Sequence, residues 1–527
     1  MNVLQQLDRV AEAIRDYCER RKLLLLCGVS IVYLVSTCLL ASRKPMWIDE
    51  LFTYYISGLP TISDIWSALL TGGEQIPPLF HIITRVSLSL FGVSELAIRL
   101  PEVLGVWVMS LCLFRFVAKR SAALYGFAAM LFPLVTKASS YAYEARPYGI
   151  VLGFAGVALI CWQSAVEGHH RKLSLIGLAV SLAAAVSCHY YAVLLLLPLA
   201  SGEAVRLISL RRLDLPIWVA SGFGLIPLFL FAPLIQQART HSAIFWAQPH
   251  WGQMIDFYYS LLTPALLPLV GMLIVAAMYS TTLPAGGVSN RKQASHATPQ
   301  LYEVAAAFGF VAIPVVAVIL AKFITGAATA RYALPSVIGF SILFAFAAHR
   351  LLDGRAIIGA SLVVVLCSGF VVLEVRNFQS MAEVSSAQAK TYEFLRLNNE
   401  NQLPIVASDP HTFMTLAHYA PRDITARLVY LADPQASLRH LGFTSVDQGM
   451  LNLKPWFRLK IEEYAPYVAS QQQFLVYGPI GWLNWLLSDL TATNRRIELK
   501  GRNRENLLFL VSAAEKPDGG QPQSAGH

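Results

Sequence analysis

The chain has 527 residues, of which 55% are hydrophobic and only 14% are charged, and its mean hydropathy is +0.52. Soluble domains carry about 25% charged residues, so this composition excludes an ordinary soluble protein and predicts a polytopic α-helical membrane protein. The formal net charge of +9 would suit a nucleic-acid binder, but Lys and Arg also collect in the cytoplasmic loops of membrane proteins. The seven cysteines form no Cys-x-x-Cys pair and none follows Cys367, so no cysteine metal site is expected in the C-terminal part.

The N-terminal segment, residues 1–22, is charged and periodic, which predicts an amphipathic helix at the cytoplasmic surface of the membrane. Residues 23–40 are apolar over about the minimum length of a membrane span. The basic residues Arg20, Arg21 and Lys22 precede this span. The positive-inside rule therefore places the N-terminus in the cytoplasm and the first loop, residues 41–96, outside.

Further apolar segments predict a transmembrane domain over residues 23–374 with about eleven spans, each close to the length that crosses a bilayer. After the first span, they cover residues 96–117, 122–136, 148–166, 173–187, 190–208, 215–235, 257–281, 304–324, 332–348 and 356–373. The apolar stretch Pro78–Phe91 is only about half a span long and contains His81 and Arg85, so we predict a helix in the outer interface.

The positions of the basic loops support this topology. If Pro78–Phe91 does not cross, the loops that contain Arg120, Arg171, Arg206 and Arg291 all lie inside. If it crosses, all of them lie outside, against the positive-inside rule. The positive net charge is therefore explained by the basic inner loops, and no nucleic-acid partner is expected.

From about residue 375 the composition changes, because charged residues become frequent and apolar runs become short. Buried strands are predicted at residues 404–407, 427–431, 473–477 and 507–511, with helical segments between them. This alternation predicts a small α/β domain with a mainly parallel sheet over residues 375–512, and an odd number of spans places it outside. Residues 513–527 are rich in Gly, Pro, Gln and Ser and predict a disordered tail.

Once the spans are oriented, polar residues collect at their outer ends. Asp49 and Glu50 lie side by side in the first outer loop, and the others are His81, Glu144, Arg146, His189, Tyr190, Lys322 and Arg331. Structural alternatives stay open: the carboxylates could cap a loop helix, the arginines could extend to the interface, and His189 could be a packing residue. The inner loops contain no Gly-rich phosphate loop, so a lipid phosphate delivered within the membrane is the natural substrate.

Five short motifs follow one another along this outer face. They are Trp47–Glu50, Ile76–His81, Ala97–Pro101, Tyr143–Tyr148 and Ala330–Pro335. Together they resemble the polyprenyl-phosphate-sugar glycosyltransferases of the GT-C fold, in the group around protein mannosyltransferases, lipid A aminoarabinose transferases and rhizobial galacturonosyl transferases. The similarity covers roughly residues 23–344. It implies a GT-C-like fold, a polyprenyl-phosphate sugar donor, an extracytoplasmic lipid, glycan or protein acceptor, and a place in the bacterial inner membrane.

The resemblance also implies residue roles. The acidic residue of the first outer loop is the catalytic base of the family, which corresponds to Asp49, and a single in-line attack would invert the anomeric centre. Glu50 would be a helper or a ligand for the acceptor or for a divalent cation, so a metal stays open. Some relatives have a basic residue shortly after the acidic pair. In this chain the uncharged segment Leu51–Tyr54 follows the pair instead.

The leaving phosphate needs positive charge, and the candidates for that role are Arg146, Arg331 and Lys322. Candidate contacts to donor or acceptor are His81, Glu144, His189 and Tyr190. A lipid or sugar transporter is the alternative function, and an inactive relative that serves as a scaffold is a third. The spans lack charges near the middle of the membrane, which favours the enzyme over a transporter.

Overall fold

The computed structural model describes residues 3–240, 245–266, 269–271, 298–351, 356–398, 402–479, 481, 484–493 and 495–513. The predicted tail after residue 513, the end of the predicted span 257–281 and the basic loop at Arg291 lie outside the described residues.

The N-terminal two thirds of the described chain are helical. The α-helices are α1 Val3–Arg20, α2 Lys22–Arg43, α3 Ile48–Ser57, α4 Ile62–Leu69, α5 Pro78–Phe91, α6 Glu95–Ala118, α7 Ala123–Leu131, α8 Tyr148–Val166, α9 Arg171–Cys188, α10 Leu196–Leu210, α11 Leu215–Gly222, α12 Ile226–Leu230, α13 Ala232–Thr240, α14 Gln253–Leu262, α15 Leu301–Val311, α16 Ile313–Leu320, α17 Ser336–Leu351 and α18 Ala356–Leu397. Short 3-10 turns at Lys137–Tyr143, Tyr190–Leu195 and Ala330–Ala333 connect several of them.

Among the described residues, six helical segments are long and apolar enough to cross a membrane, and up to eight are if each bent pair counts as one span. The two bent pairs are residues 215–240, with a bend of 59°, and residues 301–325, with a bend of 46°. The predicted count of about eleven also requires the shorter helices α7 and α17 and the partly described segment 257–281. The number of spans therefore stays a prediction.

Helices α6 and α8 cross at very close distance. A Cβ atom on Gly105 would overlap the backbone of Gly149, so only glycine allows this approach. The crossing also brings Glu102 of α6, whose side chain is fully buried, to the first turn of α8. Arg99, one turn earlier, is fully buried as well, so two charged side chains are buried in the N-terminal part of α6.

The C-terminal part forms a six-stranded sheet with short helices. Its strands are β1 Ile405–Ala407, β2 Leu428–Ala432, β3 Ile461–Glu463, β4 Gln473–Pro479, β5 Arg496–Asn503 and β6 Asn506–Ser512, in the order β3-β2-β1-β4-β6-β5. Strands β1 to β4 are parallel, and the hairpin β5–β6 adds antiparallel pairs at one edge. The helices here are α19 Pro410–Tyr419, α20 Arg422–Thr425, α21 Pro434–Leu441, α22 Ser445–Leu453, α23 Tyr464–Ser470 and α24 Leu486–Ala492.

Helix α18 continues without a break past residue 375, where the composition changes, and the sheet begins at Ile405. A change from apolar to charged residues thus occurs inside one helix, as expected where a helix leaves the apolar part of the protein.

The α/β domain packs directly on α3. The Tyr419 hydroxyl accepts the backbone N–H of Met46 at 2.8 Å, and the rings of Phe52 and Phe457 lie 5.6 Å apart. The amide of Asn452 donates to the carbonyl of Thr71 at 2.7 Å. Helix α3 is therefore enclosed between the helical domain and the α/β domain.

Candidate active site

The acidic pair lies in the first turn of α3, where the helix dipole favours negative charge. Glu50 accepts the backbone N–H of Trp47, the residue before the helix, at 3.3 Å. The capping interpretation is thus correct for Glu50, but capping accounts for only one of its contacts.

Glu50 is fully buried and forms a fork-shaped ion pair with Arg99. Arg99 donates from Nε to Oε1 at 2.7 Å and from Nη2 to Oε2 at 2.8 Å. The N–H of Ala145 donates to Oε1 at 2.7 Å, and Lys44 Nζ lies 3.8 Å from Oε2. Burial alone would raise the pKa of Glu50, but Arg99 and Lys44 outweigh burial and hold it below the ordinary value. Glu50 therefore joins three segments of chain and is closed to a substrate.

Asp49 has a different environment one residue earlier. Its side chain is 23% exposed, and Arg331 Nη1 donates to Oδ2 at 2.7 Å. Arg146 Nε lies 3.9 Å from the same oxygen, and Arg146 Nη1 donates to the backbone carbonyl of Asp49 at 3.1 Å. Burial would raise the pKa of Asp49, but the two guanidinium groups outweigh it and keep the pKa below the ordinary value. Asp49 is therefore a carboxylate held between two arginines.

The turn that carries Arg146 is fixed from both sides by buried carboxylates. Glu50 accepts the N–H of Ala145, as described above, and Glu102 Oε2 accepts the N–H of Ile150 at 2.7 Å. Glu102 thereby caps the start of α8 from a neighbouring helix. The Arg146 side chain also donates from Nη1 to Glu74 Oε2 at 2.8 Å.

Arg331 lies among aromatic rings. Its guanidinium carbon is 5.5 Å from the ring centroid of Trp47 and 5.8 Å from that of Tyr148. These distances allow cation–π attraction. Together with Tyr148, His189 and Tyr332, Arg331 lines an enclosed cavity of about 10 Å³. That volume holds about one water molecule, so the side chains of this cavity must move to admit a sugar.

The other predicted residues lie at varying distances from this centre. The His189 ring is 4.9 Å from that of Tyr332, and its Nδ1 accepts the N–H of Tyr191 at 3.3 Å. Tyr191, rather than the predicted Tyr190, lines the cavity. Lys322 lies over the ring of Trp251 at 5.9 Å and makes no described contact with Asp49.

His81 and Glu144 have different partners. His81 is buried, its Nδ1 is 3.3 Å from Ser57 Oγ, and burial lowers its pKa to about 4, so the ring is neutral. Glu144 lies 3.9 Å from Lys44 Nζ, and burial raises its pKa more than Lys44 lowers it.

Several participants were not among the predicted site residues, and the charged residues Glu74, Arg99 and Glu102 are examples. A charged residue inside a predicted span requires a buried partner, and this rule would have singled out Arg99 and Glu102. Glu74 follows the turn Gly72–Gly73 and has no comparable signal in the sequence.

A divalent cation does not fit this arrangement. Among the described residues, no group of three His, Cys, Asp or Glu side chains is placed to hold a metal ion. Asp49, Glu50 and Glu144 each face an arginine or a lysine. We derive no step through a metal.

The sequence matches one protein-family model, and the fold matches solved structures. A family model described as dolichyl-phosphate-mannose-protein mannosyltransferase matches residues 75–236, a range that includes Arg99, Arg146 and His189. The structure of ArnT from Cupriavidus metallidurans in the apo state matches with a TM-score of 0.53 at 13% identity, over 93% of this chain and 97% of that chain. The chain has an ArnT-like GT-C fold.

The same ArnT bound to undecaprenyl phosphate matches with a TM-score of 0.52 at 12% identity, over the same shares of the two chains. No curated protein matches the sequence. The predicted fold class and the predicted resemblance to GT-C glycosyltransferases are confirmed, and the apolar helices make the chain an integral membrane protein.

Proposed function

We propose that this protein is a membrane glycosyltransferase that moves a sugar from a polyprenyl-phosphate donor to an extracytoplasmic acceptor. The observation that carries the proposal is Asp49, a partly exposed carboxylate held at 2.7 Å by Arg331 within an ArnT-like fold. The matched family is described by a dolichyl-phosphate sugar, and the second matched ArnT structure holds undecaprenyl phosphate. Both molecules are polyprenyl phosphates.

The proposed reaction is a single displacement at the anomeric carbon. The acceptor hydroxyl oxygen forms a bond to that carbon, and its proton passes to the Asp49 carboxylate. The bond between the anomeric carbon and the phosphate oxygen breaks, and its electron pair stays on the polyprenyl phosphate. Arg331 and Arg146 would stabilise the negative charge that develops there. One displacement inverts the anomeric configuration.

The contact between Arg331 and Asp49 supports an order in which the donor binds before the acceptor reacts. Arg331 binds Asp49 directly, which makes Asp49 a weak base because its pKa is low. A donor phosphate that binds Arg331 would compete with Asp49 for this guanidinium and would raise the pKa of the carboxylate. Donor binding would thus prepare the base before the acceptor reacts.

Glu50 acts in this proposal as a positioning residue rather than as a ligand. Its bonds to Arg99 and to the N–H of Ala145 fix α3 relative to the turn of Arg146. Glu102 holds the other side of the same turn. Lys322, which lies over the ring of Trp251, and Tyr190 would contact the more remote parts of a substrate.

The function is tested by comparing lipid extracts from cells with and without the protein by mass spectrometry. We expect one polyprenyl-phosphate sugar to accumulate when the protein is absent, and its mass identifies the donor sugar. Unchanged polyprenyl-phosphate lipids would contradict the proposal. A variant Asp49→Asn that restores normal lipids would support a transporter instead, because a transporter needs no base.

The proposed orientation places the N-terminus in the cytoplasm and the α/β domain outside, in the bacterial inner membrane. A cysteine at Ser470, an exposed position at the end of α23, should react with an impermeant thiol reagent in intact cells. A cysteine at Lys172, in the first turn of α9 on the proposed inner side, should react only after lysis. The reverse pattern would contradict this topology.

A further inference from the structure

A groove of about 400 Å³ lies in the α/β domain, where the parallel strands β1, β2 and β3 begin. This volume falls within the range of about 300–1,000 Å³ that is typical of ligand pockets. Its polar lining comes from the segments just before the strands, from β3 and from α23, and comprises Gln402, Arg427, Lys460, Glu462, Tyr467 and Gln471.

The groove is separate from the site at Asp49. Helix α19, which packs on α3, follows the carboxyl end of β1, whereas the groove lies at the amino end of the same strand. A ligand in the groove would therefore not contact the candidate base.

Two cations of the groove are held by backbone carbonyl groups. Arg427 donates from Nη1 to the carbonyl of Leu403 at 2.8 Å and from Nε to that of Asp423 at 3.3 Å, and Lys460 donates to the carbonyl of Ala426. These bonds fix the side chains without neutralising their charge.

Neither cation has an ion-pair partner among the described residues. The nearby carboxylate of Asp423 binds Arg396 at 2.8 Å instead. Burial lowers the pKa of Arg427, and the charge of Asp423 offsets this only in part. A partly buried cation without a paired anion is costly, and an anionic ligand would remove that cost.

Neutral hydrogen-bonding groups lie beside the two cations. The Tyr467 hydroxyl is buried and has no hydrogen-bond partner within the described part of the chain, although buried polar groups nearly always have one. The amides of Gln402 and Gln471 complete this side of the groove. The one carboxylate, Glu462, pairs with Lys454 at 3.2 Å. The groove thus combines positive charge with donors and acceptors suited to hydroxyl groups.

We propose that this groove binds an anionic saccharide, a sugar ring that carries a phosphate or a carboxylate group. Arg427 and Lys460 bind the anionic group, and Tyr467 with the two glutamines binds the hydroxyl groups. The proposal does not depend on the reaction at Asp49, and it gives the α/β domain a role in holding a charged glycan of the cell envelope.

The test uses the purified full-length protein in detergent and isothermal titration calorimetry. The probes are glucose 6-phosphate, digalacturonate, neutral maltose and inorganic phosphate, so that the two sources of negative charge are distinguished. We expect at least one charged sugar to bind about tenfold or more tightly than maltose and than inorganic phosphate, because a hydrogen bond to a charged group contributes about 1.5–3 kcal/mol.

Variants locate the binding. Lys460→Gln should weaken binding of the charged sugar about tenfold or more, and Tyr467→Phe should weaken it by a smaller factor. Lys500→Gln is the matched control, because Lys500 lies on β5 and pairs with Glu498. Equal binding of maltose, equal binding of inorganic phosphate, no binding of either charged sugar, or unchanged binding by Lys460→Gln would each overturn the proposal. Asp49→Asn should bind the probes like the wild type, which separates this result from the proposed transfer reaction.

Discussion

Two buried charge clusters, one at each predicted face of the membrane domain, use similar ion pairs but differ in how completely they are closed. At the inner face, Arg120 donates from Nε to both oxygens of Glu303, at 3.0 and 2.9 Å. Its Nη2 binds Glu167 at 2.6 Å, and Gln163 donates to Glu303 at 2.8 Å. Glu303 also caps the start of α15 and is fully buried. Glu167 is 15% exposed, but Arg120 and Lys119 each bind one of its oxygens, so this cluster joins helices and pairs both oxygens of each of its carboxylates.

The outer cluster contains the same kind of buried ion pair and, in addition, one carboxylate that is partly exposed. The fork-shaped pair of Glu50 and Arg99 matches that of Glu303 and Arg120, and Glu50 is also fully buried. Asp49, in contrast, is 23% exposed, binds Arg331 through one oxygen and lies beside aromatic rings and a small cavity. The comparison supports the proposal that the fully closed ion pairs hold the helices together, whereas Asp49, at the edge of its cluster, takes part in the reaction.

The largest expected effect is that of Asp49→Asn. Removal of a general base costs about 100- to 10,000-fold in rate, so sugar transfer should fall by at least the lower figure. The rate of polyprenyl-phosphate release from the donor measures this effect. Asp64→Asn, which keeps an acceptor for the N–H of Thr61 in the same loop, is the control and should react like the wild type.

The next largest effect is that of Arg331→Gln. Loss of one group that stabilises developing charge costs about 100- to 1,000-fold in kcat. Arg331→Lys should recover only part of the rate, because lysine cannot replace a planar guanidinium stacked near two rings. A kcat of Arg331→Gln close to that of the wild type would remove Arg331 from the reaction.

A third variant, Glu50→Gln, tests whether the buried ion pair of Glu50 and Arg99 stabilises the fold. It leaves the buried Arg99 cation without its anion, which costs about 3–5 kcal/mol in the free energy of unfolding. Thermal unfolding of the purified protein measures this loss. An unchanged unfolding temperature would show that Glu50 is not a structural joint.

The smallest effect concerns the pH dependence of kcat/KM. Because the arginines lower the pKa of Asp49, the wild type should keep its ionised base as pH falls and lose activity only below about pH 4. In Arg331→Gln, burial is opposed only by Arg146 and by the smaller effect of His411, so the acid limb should move to higher pH. An acid limb at the same pH in both proteins would show that Asp49 does not titrate in this profile.

Much of the fold was predictable because apolar length and basic loops are strong signals. Helix α8 has the predicted bounds Tyr148–Val166, and the predicted interfacial helix Pro78–Phe91 is α5. Strands β3 and β5 were not predicted, because β3 has three residues, two of them glutamates, and half of the residues of β5 are exposed and none is buried. Neither strand has the apolar run on which such a prediction depends.

The roles within the site were harder to predict than its location. Asp49 and Glu50 are neighbours in sequence, but successive side chains of a helix point about 100° apart, so one faces Arg331 and the other Arg99. The sequence also does not show which cation reaches which carboxylate. Glu74 and Arg146 are 72 positions apart, and only the fold brings them together.

The most direct test compares Asp49→Asn and Glu303→Gln, purified and measured side by side for polyprenyl-phosphate release and for unfolding temperature. We predict opposite results: Asp49→Asn loses sugar transfer and unfolds near the wild-type temperature, whereas Glu303→Gln unfolds at a markedly lower temperature and keeps its kcat when measured below that temperature. Sugar transfer by Asp49→Asn at the wild-type rate would contradict the assignment of the outer cluster as the reaction site.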